Sequence, residues 1–113
     1  MPLKSLTETE LTVLRACLVL EREIERRPKP DEDDYWAVED DAEEREYGPR
    51  YHPAAWFNDG RPLSPRRRVR FLRAIRRLEV RELVTCTAGE GGRLAWLKLT
   101  AAGLKSLGKS KAG

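Results

Sequence analysis

The sequence predicts a mainly α, α+β fold in which three helices are followed by a β-hairpin and a short C-terminal helix. Two stretches carry apolar residues at helical spacing behind clear helix-start signals. A later β-branched stretch is joined to a second strand-like stretch by a Gly-rich turn. Because 113 residues suit one domain with a modest core, we expect a single domain over residues 1–113 with an acidic insertion, residues 29–50.

The first helix is predicted over residues 8–27. Thr7 and Glu10 have the spacing of a capping box, which marks a helix N-terminus. Apolar residues then recur at helical spacing until Pro28, which ends the predicted helix. The apolar positions on this helix are Leu11, Leu14, Cys17, Leu18 and Ile24.

The acidic segment, residues 31–46, contains ten of the 19 acidic residues and one basic residue. It has no clean period, so it is either a loop or a marginal helix with Tyr35, Val38 and Ala42 on one side. Three interpretations stay open: a solvated disordered loop, an ordered insertion that packs Tyr35 and Trp36 on the body, and an intramolecular decoy for the arginine-rich helix. Only the decoy would be regulatory.

Two more helices follow the acidic segment. Residues 52–57 form a short one, with Pro53 at its first position and residues 58–60 as an exit turn. The third helix begins at Ser64, a good N-cap residue directly before Pro65. The apolar stripe of this helix, which must pack on the others, consists of Phe71, Leu72, Ile75 and Leu78.

The C-terminal part of the chain predicts a β-hairpin and a last helix. Residues 83–87 have the β-branched content of a strand, residues 89–92 form a Gly-rich turn, and residues 93–99 return as the partner strand. Residues 100–107 then start a short helix, and residues 108–113 are expected to be a flexible basic tail.

This order of elements is that of a winged helix-turn-helix domain, and two stretches resemble that superfamily directly. Residues 73–84 (RAIRRLEVRELV) resemble the end of a recognition helix and the first wing strand of small bacterial regulators of the MarR and PadR kind. Residues 97–104 (LKLTAAGL) resemble the end of their wing. Glu82 stands where such regulators usually carry glycine, and a left-handed conformation there would cost on the order of 1 kcal/mol. The resemblance implies a transcriptional repressor that binds duplex DNA as a homodimer.

The helix over residues 64–81 also indicates nucleic-acid binding by its chemistry. Four arginines at spacings i, i+4, i+7 and i+11 return to one face, away from the apolar stripe. A polyanion relieves their mutual repulsion, because guanidinium groups bind phosphate oxygens and guanine edges. The predicted DNA-binding residues are Arg66, Arg67, Arg70, Arg73 and Arg77 of this helix and Arg93 of the wing, residues 85–99. The alternative is a solvated basic face.

Charge patterning supports a polyanion partner. Outside residues 31–46, the other 97 residues carry 21 basic and 9 acidic residues, a strongly basic body. We therefore expect duplex DNA as the partner. Two alternatives remain: a protein–protein interaction module that uses the acidic segment and exposed aromatics, and RNA binding.

Other functional classes find no support in the sequence. No nucleophile–base pair, phosphate-binding glycine loop or CxxC motif occurs, so neither an enzyme nor a cofactor or metal site is predicted. Cys17 and Cys86 are expected to be reduced core thiols. Without a signal peptide or a membrane-spanning stretch, the expected location is cytoplasmic.

Overall fold

The computed structural model describes residues 5–112, with side chains described through Gly108. Within this part of the chain the fold is mainly helical with one small antiparallel sheet, which agrees with the predicted α+β class. No described helix is long and apolar enough to cross a membrane. The elements are α1 (Glu8–Arg26), α2 (Tyr35–Tyr47), α3 (Pro53–Phe57), α4 (Pro65–Val80), β1 (Val84–Ala88), β2 (Leu94–Leu99) and α5 (Ala101–Ala112).

Helix α1 begins at the predicted capping box. The Glu10 N–H donates to Thr7 Oγ1 at 3.1 Å, and the Thr7 N–H donates to Glu10 Oε1 at 2.8 Å. The helix ends because Arg27 adopts an extended conformation, with φ −67° and ψ 133°. Its inward face supplies four buried apolar residues to the core: Val13, Leu14, Cys17 and Ile24.

Helix α4 begins at Ser64, whose Oγ accepts a hydrogen bond from the Arg67 N–H at 3.2 Å, as the N-cap prediction required. The prediction that Leu72 is buried is wrong, because its side chain is 39% exposed. At about 100° per residue, Leu72 lies on the edge of the buried side of α4, and the elements packed on α4 leave that edge uncovered. The residues that α4 buries are Phe71, Ala74, Ile75 and Leu78.

Helix α3 is docked on α4 by aromatic stacking. The rings of Phe57 and Phe71 lie parallel, with centroids 3.8 Å apart. Trp56 Nε1 donates to the Arg50 carbonyl oxygen at 2.9 Å, which ties α3 to the segment before it. The Phe57–Phe71 stack therefore links the short helix to the arginine-rich helix.

The predicted hairpin is present. Strands β1 and β2 pair antiparallel, with Val84 opposite Leu99, and a short 3₁₀ turn, Glu90–Gly92, joins them. The segment before α3 is hydrogen-bonded to the other edge of β2. There the Tyr51 N–H donates to the Ala95 carbonyl oxygen at 2.7 Å. Two backbone segments therefore flank β2 and fix the hairpin to the rest of the molecule.

Thr100 and Gly103 fix the junction between the hairpin and α5. Thr100 Oγ1 donates to the Glu82 carbonyl oxygen at 2.7 Å and accepts the Gly103 N–H at 3.0 Å. A Cβ on Gly103 would overlap the Leu83 carbonyl oxygen, so glycine is required for this close approach. Helix α5 continues to Ala112 and is therefore longer than the short helix predicted before a flexible tail, while residue 113 lies outside the described residues.

Glu82 adopts the left-handed conformation that favours glycine, with φ +60°. It follows the C-cap residue Arg81 and precedes the buried Leu83, so the chain turns sharply between α4 and β1. A non-glycine residue in this conformation stores strain on the order of 1 kcal/mol.

The acidic segment forms a regular helix, α2, rather than a loop. Its body-facing stripe is Ala37, Asp41 and Glu44, whereas the predicted packing residues point outward, with Tyr35 62% and Trp36 74% exposed. The interpretation in which an ordered insertion packs Tyr35 and Trp36 on the body is therefore wrong. The side of α2 that faces the end of α1 instead carries carboxylates, which pair with a cation there.

Arg27 is that cation. Its Nη2 lies 2.7 Å from Asp41 Oδ1 and its Nη1 lies 3.6 Å from Glu44 Oε2. Tyr47 adds a ring contact to Trp96, with centroids 5.4 Å apart. Because these carboxylates bind α1, the decoy arrangement, in which they would cover the arginines of α4, is not the one the structure contains.

Both cysteines are free thiols, as predicted. Cys17 is fully buried, and its Sγ lies 3.4 Å from the Leu97 carbonyl oxygen, in hydrogen-bonding distance of this acceptor. Burial raises the pKa of both thiols, and that of the half-buried Cys86 rises to about 12. Both therefore stay protonated near neutral pH and serve packing rather than reactivity.

Candidate nucleic-acid interface

The outward side of α4 forms one continuous surface, which we call the arginine face. Counting about 100° per residue, Val69 points almost directly away from the buried side of the helix, with Arg66 and Arg73 beside it. These side chains border a shallow groove of about 590 Å³. The groove is lined by Pro65, Arg66, Val69, Arg70, Arg73 and Arg77.

Three arginines of this face carry uncompensated charge. Arg66, Arg70 and Arg73 are exposed, and no carboxylate of the described residues forms an ion pair with them. Arg76, by contrast, pairs with Glu79 at 3.2 Å. The arginine face therefore presents a row of cations that are free to bind an external anion.

Arg77 lines the groove but also binds Glu10 of α1. Its Nε lies 3.5 Å from Glu10 Oε2, and the glutamate is only 4% exposed. Burial acts to raise the pKa of Glu10, but the Thr7 hydrogen bonds and the charges of Arg77 and Arg81 outweigh it, so the pKa falls below its ordinary value. Arg77 thus anchors α4 to α1, and its guanidinium is partly engaged before any ligand arrives.

Arg67 lies away from the groove, toward the joint between α3 and α4. Its Nη1 donates to Asn58 Oδ1 at 3.4 Å, and its Cζ lies 6.0 Å from the centre of the Phe71 ring. Asn58 in turn donates from Nδ2 to the Arg61 carbonyl oxygen at 3.0 Å. From this flank Arg67 suits contacts to a backbone phosphate better than contacts to bases.

Arg93 lies on a different element from the other predicted site residues. It directly follows the turn of the hairpin, is exposed, and accepts the Gly89 N–H at its carbonyl oxygen, at 2.9 Å. Its guanidinium has no ion-pair partner among the described carboxylates. The hairpin therefore presents one free cation near its tip.

Sequence reasoning missed one member of this surface, Val69, and one contact that anchors it, the pair of Glu10 with Arg77. Val69 follows Arg66 by three residues, so its position on the arginine face was available from helical spacing. The pairing of Glu10 with Arg77 joins residues 67 positions apart and left no local signal beyond the capping box.

Comparison of the chain with protein-family models, with curated proteins and with solved structures finds no match. Within the described residues, no group of three His, Cys, Asp or Glu side chains is placed to hold a metal ion. The chemistry of the arginine face is therefore the basis for a function.

Proposed function

We propose that the protein binds duplex DNA with α4 in the major groove and the β1–β2 hairpin as a wing, as a transcriptional repressor of the winged-helix type. The observation that carries this proposal is the arginine face, where Arg66, Arg70 and Arg73 are exposed and unpaired within the described residues. The element order α3, α4, β1, β2 supports it, because a capped helix followed by a hairpin is the winged-helix order.

The chemistry of the arginine face fits DNA in two ways. The major groove is about 12 Å wide and admits an α-helix, so the outward side of α4 can approach base edges. Guanidinium groups then bind guanine O6 and N7 or phosphate oxygens in bidentate hydrogen bonds. Arg67 on the flank of α4 and Arg93 near the hairpin tip suit contacts to phosphates rather than to base edges.

Equilibrium binding to a labelled 20-base-pair duplex tests the proposal. We expect micromolar or tighter affinity at low salt, falling steeply as salt rises, because every phosphate contact releases condensed counterions. Single-stranded DNA and a structured RNA of equal length are the comparison ligands. Tighter binding to the RNA would favour the RNA alternative, and the absence of salt-dependent duplex binding would contradict the proposal.

A homodimer belongs to the same proposal, because two-fold symmetric proteins read two half-sites that lie about one helical turn apart on the same face of one operator. Val19 on α1 and Leu104 on α5 are exposed apolar residues that a second copy would cover. Sedimentation at high micromolar concentration should give twice the 13.0 kDa chain mass. A monomer under those conditions would remove the dimer from the proposal.

A second candidate function, protein–protein contact through α2, is favoured by one observation. Tyr35 and Trp36 are largely exposed and contact each other edge to face, with ring centroids 5.2 Å apart. Exposed aromatic pairs are enriched at protein interfaces. If this is the main function, Trp36→Ala should abolish association with a partner, while the same variant should leave duplex binding unchanged.

A further inference from the structure

Val69 has no structural reason to be a valine. It is 46% exposed at the centre of the arginine face and contributes nothing to the core. Valine is a weaker helix former than the arginines around it, and an exposed apolar side chain among cations stabilises neither the helix nor the surface. Its stiff, branched side chain does present two methyl groups in a fixed direction.

We propose that Val69 is a specificity residue that contacts the 5-methyl group of a thymine, next to a guanine bound by Arg66, Arg70 or Arg73. This inference rests on the proposed function and names the base that the arginine face selects. In the major groove, thymine is distinguished by its methyl group and guanine by two acceptors. In the groove along α4, Val69 lies between guanidinium-bearing side chains, a pattern that matches a methyl group beside those acceptors.

Val69 offers an approaching base only apolar contact, and the hydrogen-bond donors around it belong to arginines. Arg66 and Arg73 lie one helical turn before and after it, and both side chains are longer than that of valine. A base approaching the centre of the groove therefore meets a small apolar surface bordered by donors. Cytosine, which lacks the methyl group and offers an amino donor, would be the poorer partner at that point.

The test replaces single thymines by deoxyuridine, which removes only the methyl group, in the duplex that the protein selects from a random pool. With the unaltered protein, one such replacement next to a guanine should weaken binding about fourfold, the value of one buried methyl group. Val69→Ala, which has a shorter apolar side chain, should discriminate less between the thymine and uracil duplexes than the unaltered protein does. Val80→Ala, an exposed valine of the same helix outside the groove, should keep the full thymine preference.

The outcomes separate this inference from the proposed function. Salt-dependent duplex binding without a selected sequence, or without any effect of deoxyuridine, would overturn the role of Val69 and leave DNA binding intact. A thymine preference in Val69→Ala as strong as that of the unaltered protein would also overturn the role of Val69 and leave DNA binding intact. Failure to bind any duplex would overturn both. Thermal unfolding of Val69→Ala must match the parent, which is expected because alanine favours an exposed helix.

Discussion

Arg70 and Arg73 are the side chains on which the DNA-binding hypothesis is most directly testable. Replacing both by alanine should sharply weaken duplex binding, while the free energy of unfolding changes by less than about 1 kcal/mol, since both sites are exposed. The slope of log K against log salt should become shallower by roughly 0.9 for each phosphate that the variant no longer binds. Fluorescence anisotropy at several salt concentrations measures both the affinity and this slope.

Arg15 and Arg22 of α1 provide the matched control for that double variant. Both are exposed on a helix outside the arginine face, and their replacement by alanine removes the same charge. The control should retain most of the affinity and the salt slope. Equal losses in the two double variants would mean that net charge alone, rather than the arginine face, attracts DNA.

Glu82 stores backbone strain that a single substitution should release. Glycine adopts φ +60° without the steric cost that a Cβ imposes, so Glu82→Gly should raise the free energy of unfolding by roughly 0.5–1 kcal/mol. Denaturant unfolding measures the change. A destabilised Glu82→Gly variant would show that the glutamate side chain contributes more than its conformation costs.

Glu10 should make the stability of the protein sensitive to acid. The pKa of Glu10 is lowered in the folded state. Its carboxylate therefore contributes to the free energy of unfolding above the ordinary pKa of 4.5, and this contribution is lost as the pH falls through the lower pKa of the folded state. Glu10→Gln keeps a capping-box side chain but cannot titrate. The parent should therefore lose more thermal stability than the variant between about pH 6 and about pH 3. Parallel losses would contradict this assignment.

Single residues differ in how far the sequence determines their roles. Thr7 and Ser64 were predictable as helix caps, because capping depends on neighbours three residues away. Leu72 was assigned to the core wrongly, since the width of an apolar stripe is set by the elements that cover it. The Glu10–Arg77 pair depends on how two helices cross, which local sequence does not encode.

At the scale of elements, the close contact between α5 and the segment that follows α4 limits what position 103 can hold. Gly103→Ala forces a Cβ into the Leu83 backbone and should destabilise the protein by at least about 2 kcal/mol. Gly108→Ala is the matched control in the same helix, because nothing lies within 4 Å of its Cβ position. It should be neutral or stabilising by up to about 1 kcal/mol. Similar effects at both positions, measured by thermal unfolding, would exclude the close approach as the cause.

Among the elements, α2 was the one whose state the sequence left open. Helices α1 and α4 each carry an apolar stripe, which predicts them independently of their surroundings. Helix α2 buries none of its residues and is attached by Arg27 and by ring contact with Trp96. Its stability depends on groups distant in sequence, so its own residues did not decide between loop and helix.

At the scale of the whole molecule, charge is divided between an acidic helix and a basic body. Four exposed carboxylates form no ion pair within the described part of the chain, and neutralising them by Glu32→Gln, Asp33→Asn, Asp40→Asn and Glu46→Gln raises the formal net charge from +3 to +7. Non-specific duplex binding should strengthen at low salt and should converge with that of the parent at high salt, because long-range attraction is screened. Filter binding at two ionic strengths measures this difference.

This variant is a cleaner test than removal of residues 31–46, which would also delete a folded helix. The free energy of unfolding of the neutralised variant should match that of the parent, because the ion pairs of Arg27 with Asp41 and Glu44 remain. If its affinity for DNA did not change at low salt, the charge of α2 would have no influence on the approach of a polyanion.

The hydrogen bond from Arg45 Nη2 to the Arg27 carbonyl oxygen, at 3.2 Å, brings the departing and returning chain together at the base of α2. Directly afterwards the backbone is fixed again, where the Leu97 N–H donates to the Pro49 carbonyl oxygen. Residues 28–47 are therefore an excursion with both ends held, and loop-closure entropy changes by only about 0.6 kcal/mol for each doubling of its length. We therefore expect an insertion within residues 28–47, such as a grafted peptide or a fluorescent tag, to leave the position of α4 unchanged.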